Sequence, residues 1–429
     1  MSQISNIIAR QILDSRGNPA LEVDVITNSG AVGRASVPSG ATIAKYEVVD
    51  IKDEDPKRYL GKGVIKSVNN INKAINEELH GFDVTDQSGI DATMIEMDGT
   101  EDKSNLGTNT ILAVSVAAAK AAAQLTRQPL FRYIGGVSAN ILPIPMMNLI
   151  NGGLNSNNKV DIQEFLILPT GADTFSEALR IGTEIFQYLK IILNEKNISV
   201  NIFDDGGFSP VLTNNNLAFE LILKAIEKAG YKPGEDVWIA IDCAASQFYN
   251  EKEKLYKLKS AKKQYNSSEL INYWIKMINK YPIISIEDGL ADDDWEGWAD
   301  LTNAVDKKIQ VVGDDLFVTN PHRLARGIVE NSANSILIKL NQAGTLTETI
   351  NTIQLANKNA FTTIISHRSG ETEDTTIAEL SVALNTGLIK AGSPSRTDRV
   401  AKYNQLLRIE ESLGNSARFL GKEFKFLLY

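Results

Sequence analysis

The fold is decided by two neighbouring stretches, Ile283-Ile-Ser-Ile-Glu287 and Ile309-Gln-Val-Val-Gly-Asp314. Each stretch is a short apolar run that stops at an acidic residue, and a helix-like segment follows it. Strands that are apolar throughout are buried on both faces, which is typical of a parallel sheet covered by helices. The two stretches therefore predict successive strand-helix units of an α/β protein.

The same unit repeats from about residue 236 to the end of the chain. Charged side chains close the apolar runs at six positions: Asp242, Glu287, Asp314, Lys339, His367 and Lys390. From position 287 onward the intervals are 27, 25, 28 and 23 residues, the length of one strand and one helix in a (β/α)8 barrel. Because the carboxyl ends of barrel strands meet at one face, the six side chains should converge on one pocket.

The first part of the chain has a different pattern. Residues 1 to about 40 hold three β-type runs separated by the turn signals Ser15–Pro19 and Asn28–Gly30, which predicts an antiparallel meander. Residues 56–134 then place apolar residues at helical spacing and include the alanine-rich stretch Thr110–Leu125. Strands followed by helices predict a small α+β domain.

The boundary between the two predicted domains follows Gly136. A pair of glycines and two nearby prolines, Pro143 and Pro145, are typical of a crossing between domains. We therefore predict an amino-terminal α+β domain over residues 1–136 and a barrel domain over residues 137–429. A chain of 429 residues agrees with two domains, since a barrel takes about 250 residues.

The composition excludes several classes of partner. A net charge of −9 argues against a general nucleic-acid or membrane-surface binder, whose surface would be basic. The single cysteine, Cys243, cannot form an intramolecular disulfide and indicates a reducing compartment; we expect it to be a small buried residue. The sequence has no apolar span of 18 residues and no signal-like start. We expect a cytoplasmic protein.

Three of the six charged positions suit a metal ion. Asp242, Glu287 and Asp314 offer oxygen ligands only, which favours Mg²⁺ over Zn²⁺. The alternative is that each acid caps the helix that follows it. Three acids at successive strand ends, followed by Lys339, favour the metal site.

Lys339 suits the role of a general base. Partial burial and a nearby divalent cation would disfavour its ammonium form and bring its pKa towards the working pH. The alternative is a lysine that holds one of the acids in an ion pair.

The remaining positions predict the substrate. His367 is followed by Arg368-Ser369, which can offer a planar guanidinium fork and a hydroxyl to phosphate oxygens. Lys390 can bind a carboxylate. These residues predict a small substrate that carries both a phosphate and a carboxylate.

Longer motifs occur in order along nearly the whole chain. They are Leu13-Asp-Ser-Arg-Gly-Asn-Pro19, Val37-Pro-Ser-Gly-Ala41, Asp98-Gly-Thr100, Lys103-Ser-Asn-Leu-Gly107, Pro145-Met-Met-Asn148, Gln163-Glu-Phe165, Ser285-Ile-Glu-Asp-Gly289, Gly313-Asp-Asp-Leu-Phe-Val-Thr-Asn320, Ile338-Lys-Leu-Asn-Gln342 and residues 366–376 and 399–411. Together these motifs resemble the enolase family. The resemblance implies an enolase-like (β/α)8 barrel with an irregular start, a β3α4 amino-terminal domain and a homodimer or higher homo-oligomer.

The resemblance also implies an activity, the Mg²⁺-dependent dehydration of 2-phosphoglycerate to phosphoenolpyruvate in glycolysis. Two Mg²⁺ ions are implied, which would stabilise an enolate-like intermediate; the first would be held by Asp242, Glu287 and Asp314, and the second by Ser39 together with the substrate. Lys339 would be the base and Asp205 the acid that protonates the departing hydroxyl. The implied substrate-binding residues are Asn155, Gln163, Glu164, His367, Arg368, Ser369 and Lys390.

Three positions depart from the family pattern. Asp205 stands where the family has glutamate, Asn155 stands at a histidine position, and Ala44 replaces a glycine in the loop after Ala41. Asp205 is shorter than glutamate by one C–C bond, about 1.5 Å, and a misplacement near 1 Å can cost about 100-fold in rate. Asparagine cannot shuttle a proton near neutral pH, and a residue other than glycine at 44 disfavours a positive φ in the loop.

These departures leave three interpretations open. We favour an enolase-type lyase with reduced turnover. The second is a divergent paralogue that serves as a binding or scaffold protein with weak or no activity. The third is a lyase or isomerase that acts on another phosphorylated acid, in which Lys339 would exchange a proton without dehydration.

Overall fold

The structure, a computed structural model, describes residues 1–38, 40, 44–153, 159–305 and 307–428. The chain begins with a three-stranded antiparallel sheet in the order β1-β2-β3, formed by β1 Ile4–Leu13, β2 Pro19–Thr27 and β3 Val32–Val37. The predicted meander is therefore confirmed. Both faces of β2 are largely buried, whereas β3 alternates between exposed and buried residues.

Helices cover one face of this sheet. They are α1 Ile65–Asn70, α2 Asn76–Glu78, α3 Gln87–Asp98, α4 Thr108–Leu125 and α5 Leu130–Gly135, with a π-helical turn at Ile71–Ile75. Helix α4 is buried along nearly its whole length, because its alanines let it lie close to the sheet. A Cβ atom on Gly33 of β3 would lie 2.0 Å from the carbonyl oxygen of Ala117, so this approach requires glycine.

Eight strands of the second part close into a barrel. The strands after β3 are β4 Ile141–Leu142, β5 Ile144–Asn151, β6 Glu164–Leu168, β7 Trp238–Asp242, β8 Tyr249–Asn250, β9 Leu255–Leu258, β10 Lys263–Tyr265, β11 Ile283–Glu287, β12 Gln310–Gly313, β13 Ser335–Ile338, β14 Thr362–Ser366, β15 Gly387–Lys390 and β16 Arg418–Phe419. The barrel order is β11-β12-β13-β14-β15-β5-β6-β7. Strand β6 runs antiparallel to both of its neighbours, and the other pairs are parallel. The α/β barrel with an irregular start is thus confirmed.

The remaining helices surround the barrel. They are α6 Phe175–Glu195, α7 Asn215–Lys228, α8 Ser267–Lys280, α9 Trp295–Ala304, α10 Pro321–Glu330, α11 Leu340–Ala343, α12 Leu346–Lys358, α13 Thr376–Ala383 and α14 Thr397–Leu413. The short strands β8, β9 and β10 form a separate antiparallel sheet, and β16 pairs with β4. No helix within the described ranges is long and apolar enough to cross a membrane.

Apolar side chains fill the barrel interior. One buried residue or more from each barrel strand, including Met146, Leu166 and Ile364, joins a cluster that Phe424 and Phe426 of the carboxyl-terminal segment complete. Because the interior is packed, ligands have access only at the ends of the barrel.

The amino-terminal part packs on loops at the carboxyl ends of the barrel strands. Lys120 of α4 places its Nζ atom 2.7 Å from a carboxylate oxygen of Asp374, in the segment after β14. The backbone amide of Ser36 in β3 donates to the same oxygen at 3.0 Å. The two parts therefore meet beside the strand ends on which the sequence places its charged residues.

Candidate active site

The charged strand ends converge at one end of the barrel, as predicted. One cavity is lined by Asp242, Asp314, Lys339, His367 and Lys390. The sixth residue, Glu287, is 1 % exposed and contacts the cavity through Lys390. These side chains meet because the strands that carry them are parallel and end at the same face of the barrel; the strands are β7, β11, β12, β13, β14 and β15.

Lys390 lies among three carboxylates. Its Nζ atom is 2.8 Å from Glu287, 2.9 Å from Asp242 and 3.1 Å from Glu164. Burial alone would lower the pKa of Lys390, but the three acids outweigh burial and raise it well above its ordinary value. Glu164 takes part because β6 is antiparallel, which places the first residue of that strand at the face where its neighbours end.

The acids outnumber the cations near them. Burial and then Asp242 raise the pKa of Glu287 well above its usual range, and burial and then Asp315 do the same for Asp288. One oxygen of Glu287 and one of Asp314 are buried and have no hydrogen-bond partner among the residues that the structure describes. A buried excess of carboxylate oxygens fits a hard divalent cation such as Mg²⁺.

Geometry adds two acids that the sequence did not single out. Carboxylate oxygens of Asp288, Asp314 and Asp315 lie within 4.8 Å of one another. Asp288 also accepts hydrogen bonds from the backbone amides of Asp314, at 2.9 Å, and Asp315, at 3.0 Å, so it fixes the loop that carries both acids. The available signal was that Glu287-Asp288 and Asp314-Asp315 are adjacent pairs of acids at strand ends.

Lys339 is paired with Asp314. Its Nζ atom lies 2.5 Å from a carboxylate oxygen of that residue. Burial lowers the pKa of Lys339, but Asp314 and Asp315 together outweigh burial, and the pKa is raised. The sequence predicts that a divalent cation and burial lower the pKa of Lys339. Among the described residues, the neighbouring acids shift this pKa in the opposite direction.

Arg399, which the sequence did not single out as a site residue, contacts all three residues of the segment His367–Ser369. Arg399 is completely buried, and its guanidinium donates to the backbone carbonyls of Arg368 at 2.6 Å and Ser369 at 2.7 Å. It also contacts Nδ1 of His367 and donates to the carbonyl of Asp204 at 3.1 Å. Burial first, and then Arg399, hold the pKa of His367 well below its ordinary value.

Asp205, the predicted acid, lines the cavity. Its carboxylate accepts hydrogen bonds from the side-chain amides of Asn148 at 2.6 Å and Asn151 at 3.0 Å, and from the backbone amide of Gly207 at 2.9 Å. Gln163 lines the cavity too and accepts from Gln247 at 2.6 Å. Asparagines 148 and 151, at the end of β5, were not predicted to support the acid.

Two predicted site residues, Ser39 and Asn155, lie outside the described residues, as does the loop 41–43. The other predicted residues belong to the cavity or contact it. Arg368 and Ser369 both line it, and Arg368 pairs with Glu47 from the amino-terminal part.

Fold and site together define a class of protein: a (β/α)8 barrel with a small α+β partner, and a buried acidic pocket that holds two lysines at the carboxyl ends of the strands. The sequence matches two family models, the enolase N-terminal domain over residues 4–134 and the enolase C-terminal TIM barrel domain over residues 139–427. The chain belongs to the enolase family, and its domains support an enolase-type lyase.

Proposed function

We propose that this chain dehydrates 2-phosphoglycerate to phosphoenolpyruvate with Mg²⁺. The observation that carries the proposal is that one cavity is lined by Lys339, Asp205 and the Arg368-Ser369 pair. A base, an acid and an anion-binding fork are the groups that elimination of water from a phosphorylated hydroxy acid requires.

The proposed reaction assigns one task to each group. Arg368 and Ser369 bind the phosphate, and Lys390 binds the carboxylate. The Nζ atom of Lys339, in its neutral form, takes the proton from the carbon next to the carboxylate. Mg²⁺ bound to Asp314 would compete with Lys339 for that carboxylate and so favour the neutral amine. The electron pair of that C–H bond forms the new double bond, the C–O bond of the hydroxyl breaks, and Asp205 supplies the proton with which the hydroxyl leaves as water.

Asp205 is well fixed for this task. Three N–H donors contact its carboxylate, and the residue is 5 % exposed. Glu164 and Gln163, which also line the cavity, are the proposed contacts of the leaving hydroxyl.

Asp242, Glu287 and Asp314 are the proposed ligands of the first Mg²⁺, and Ser39 is the proposed protein ligand of the second. The support is the buried, unpaired oxygens of Glu287 and Asp314 among the described residues. Bound Mg²⁺ would supply positive charge against the negative charge that develops on the substrate carboxylate.

The test is formation of phosphoenolpyruvate, followed by its ultraviolet absorbance, with and without Mg²⁺. Lys339→Ala should lower the rate by about 100- to 10,000-fold, the range of a lost general base. Lys358→Ala is the matched control, because Lys358 is an exposed lysine at the end of α12. Absence of product above a no-enzyme control at high protein concentration would refute the proposal.

The family resemblance further supports a place in glycolysis, a cytoplasmic location and a homodimer or higher homo-oligomer. Light scattering coupled to size-exclusion chromatography tests the oligomer directly. A monomer at micromolar concentration would contradict it.

A further inference from the structure

Arg368, the proposed phosphate-binding residue, is paired with a carboxylate of the chain itself. Its Nη2 atom lies 2.7 Å from Oε1 of Glu47, and both side chains are only 6 % exposed. The other oxygen of Glu47 accepts a hydrogen bond from the backbone amide of Ala44 at 3.1 Å. Glu47 is therefore held at both oxygens while it occupies one arm of the guanidinium fork.

The second arm of the fork has no such partner. Nη1 of Arg368 is buried and makes no hydrogen bond to any residue in the described ranges. Glu47 and Arg368 both line the cavity at the candidate active site, so the carboxylate lies where the fork meets a ligand. An anion that binds both arms of the fork has to displace Glu47 from Nη2.

A second cavity offers the displaced carboxylate a place. It is lined by Glu47 and Arg368, and its other charged residues are one acid and three cations: Asp50, Arg16, Lys52 and Lys62. The carboxylate of Glu47 can therefore leave Arg368 and still lie near positive charge. Because the displaced acid keeps cationic neighbours, its release by a strongly charged ligand is feasible.

We propose that Glu47 competes with anionic ligands for Arg368 and thereby raises the intrinsic affinity that a ligand needs to occupy the fork, so that a dianionic group binds at concentrations at which a single carboxylate does not. A ligand with one carboxylate offers Arg368 no more charge than Glu47, which is tethered and so has the advantage of a high effective concentration. A phosphate dianion offers two charges and more acceptor oxygens, so it can displace Glu47. The inference rests on the proposed role of Arg368 in binding phosphate.

The test measures anion binding directly, without turnover. Titration calorimetry at about pH 8, where phosphate is mainly a dianion, gives the Kd of inorganic phosphate, and competition with phosphate gives the Kd of acetate. We expect Glu47→Gln to tighten phosphate binding by about tenfold, because a neutral amide replaces a charge-assisted competitor. Acetate binding should tighten by a similar factor, because both anions have to displace the same carboxylate.

Two further variants identify the cause. In an Arg368→Ala background, Glu47→Gln should give no gain, since the competition acts through Arg368. Glu251→Gln is the matched control, because that acid is 77 % exposed and contacts Lys45 of the same segment at 3.7 Å. It should leave the phosphate Kd unchanged.

Unchanged or weaker phosphate binding in Glu47→Gln would overturn the inference and show that Glu47 orients Arg368. Absence of phosphate binding in every variant would overturn it as well. A chain that binds phosphate as expected but forms no phosphoenolpyruvate would contradict the proposed function and leave the competition supported.

Discussion

Replacing Asp374 with asparagine should lower the free energy of unfolding by about 2 kcal/mol at neutral pH, because it weakens the contact between the two parts of the chain. Asp374 accepts from Lys120 at 2.7 Å and from the amide of Ser36 at 3.0 Å, so one buried carboxylate joins α4 and β3 to the segment after β14. Burial alone would raise its pKa, but Lys120 and the other donors lower it from 3.8 to about 2. A carboxyl whose pKa falls from 3.8 to about 2 on folding contributes about 2 kcal/mol of stability at neutral pH.

The sign of the pH dependence follows from the lowered pKa. The stabilisation is fully present above the unfolded value of 3.8 and is lost as the pH falls through about 2. At about pH 3 roughly half of it should remain. The difference between wild type and Asp374→Asn should therefore shrink by about half between pH 7 and pH 3.

Urea unfolding followed by tryptophan fluorescence measures both effects. Glu195→Gln is the control, because Glu195 forms an exposed ion pair with Lys228, and its midpoint should match that of wild type. Equal midpoints for Asp374→Asn and wild type at pH 7 would refute the reasoning. A difference that stays constant down to pH 3 would also refute it.

Three further predictions concern the site and its support. Asp205→Asn should lower phosphoenolpyruvate formation by about 100-fold or more while deuterium exchange next to the carboxylate continues; loss of both, measured by nuclear magnetic resonance, would contradict an acid role. Lys402→Met should lower the free energy of unfolding by about 3 to 5 kcal/mol, because Glu371, 3.0 Å from the Nζ atom of Lys402, loses its buried partner. Adding Glu371→Gln should recover part of this loss, as measured by thermal unfolding. Mg²⁺ at about 100 times its Kd should raise the free energy of unfolding by about 2.7 kcal/mol, measured by urea unfolding with and without the ion. An equally large increase in the Glu287→Gln variant would argue against Glu287 as a ligand.

The barrel strands that carry an acid or a lysine at their carboxyl ends could be predicted from the sequence. Their apolar runs are continuous because both faces are buried, and the spacing reflects one helix per strand. Strands β5 and β6 did not follow from this rule. The prolines at 143 and 145 indicated a boundary, and the acid of β6, Glu164, stands at its first residue because the strand is antiparallel.

The support of the site could not be predicted from periodicity. Arg399 contacts His367 and the carbonyls of Arg368 and Ser369, and Glu47 contacts Arg368 from the other part of the chain. Hydropathy patterns describe the burial of each segment separately. They carry no information on which buried polar groups meet when segments far apart in sequence pack together.

The sequence by itself determined the barrel and the set of charged residues at the strand ends, because local periodicity encodes which faces are buried and where each strand stops. Its long motifs determined the family. The tertiary structure decided how those charges pair. Lys390 lies among Glu164, Asp242 and Glu287, and Lys339 lies against Asp314. The physical reason is that an ion pair and a pKa shift depend on burial and on distances of a few ångströms between side chains of different strands, which only the closed barrel fixes.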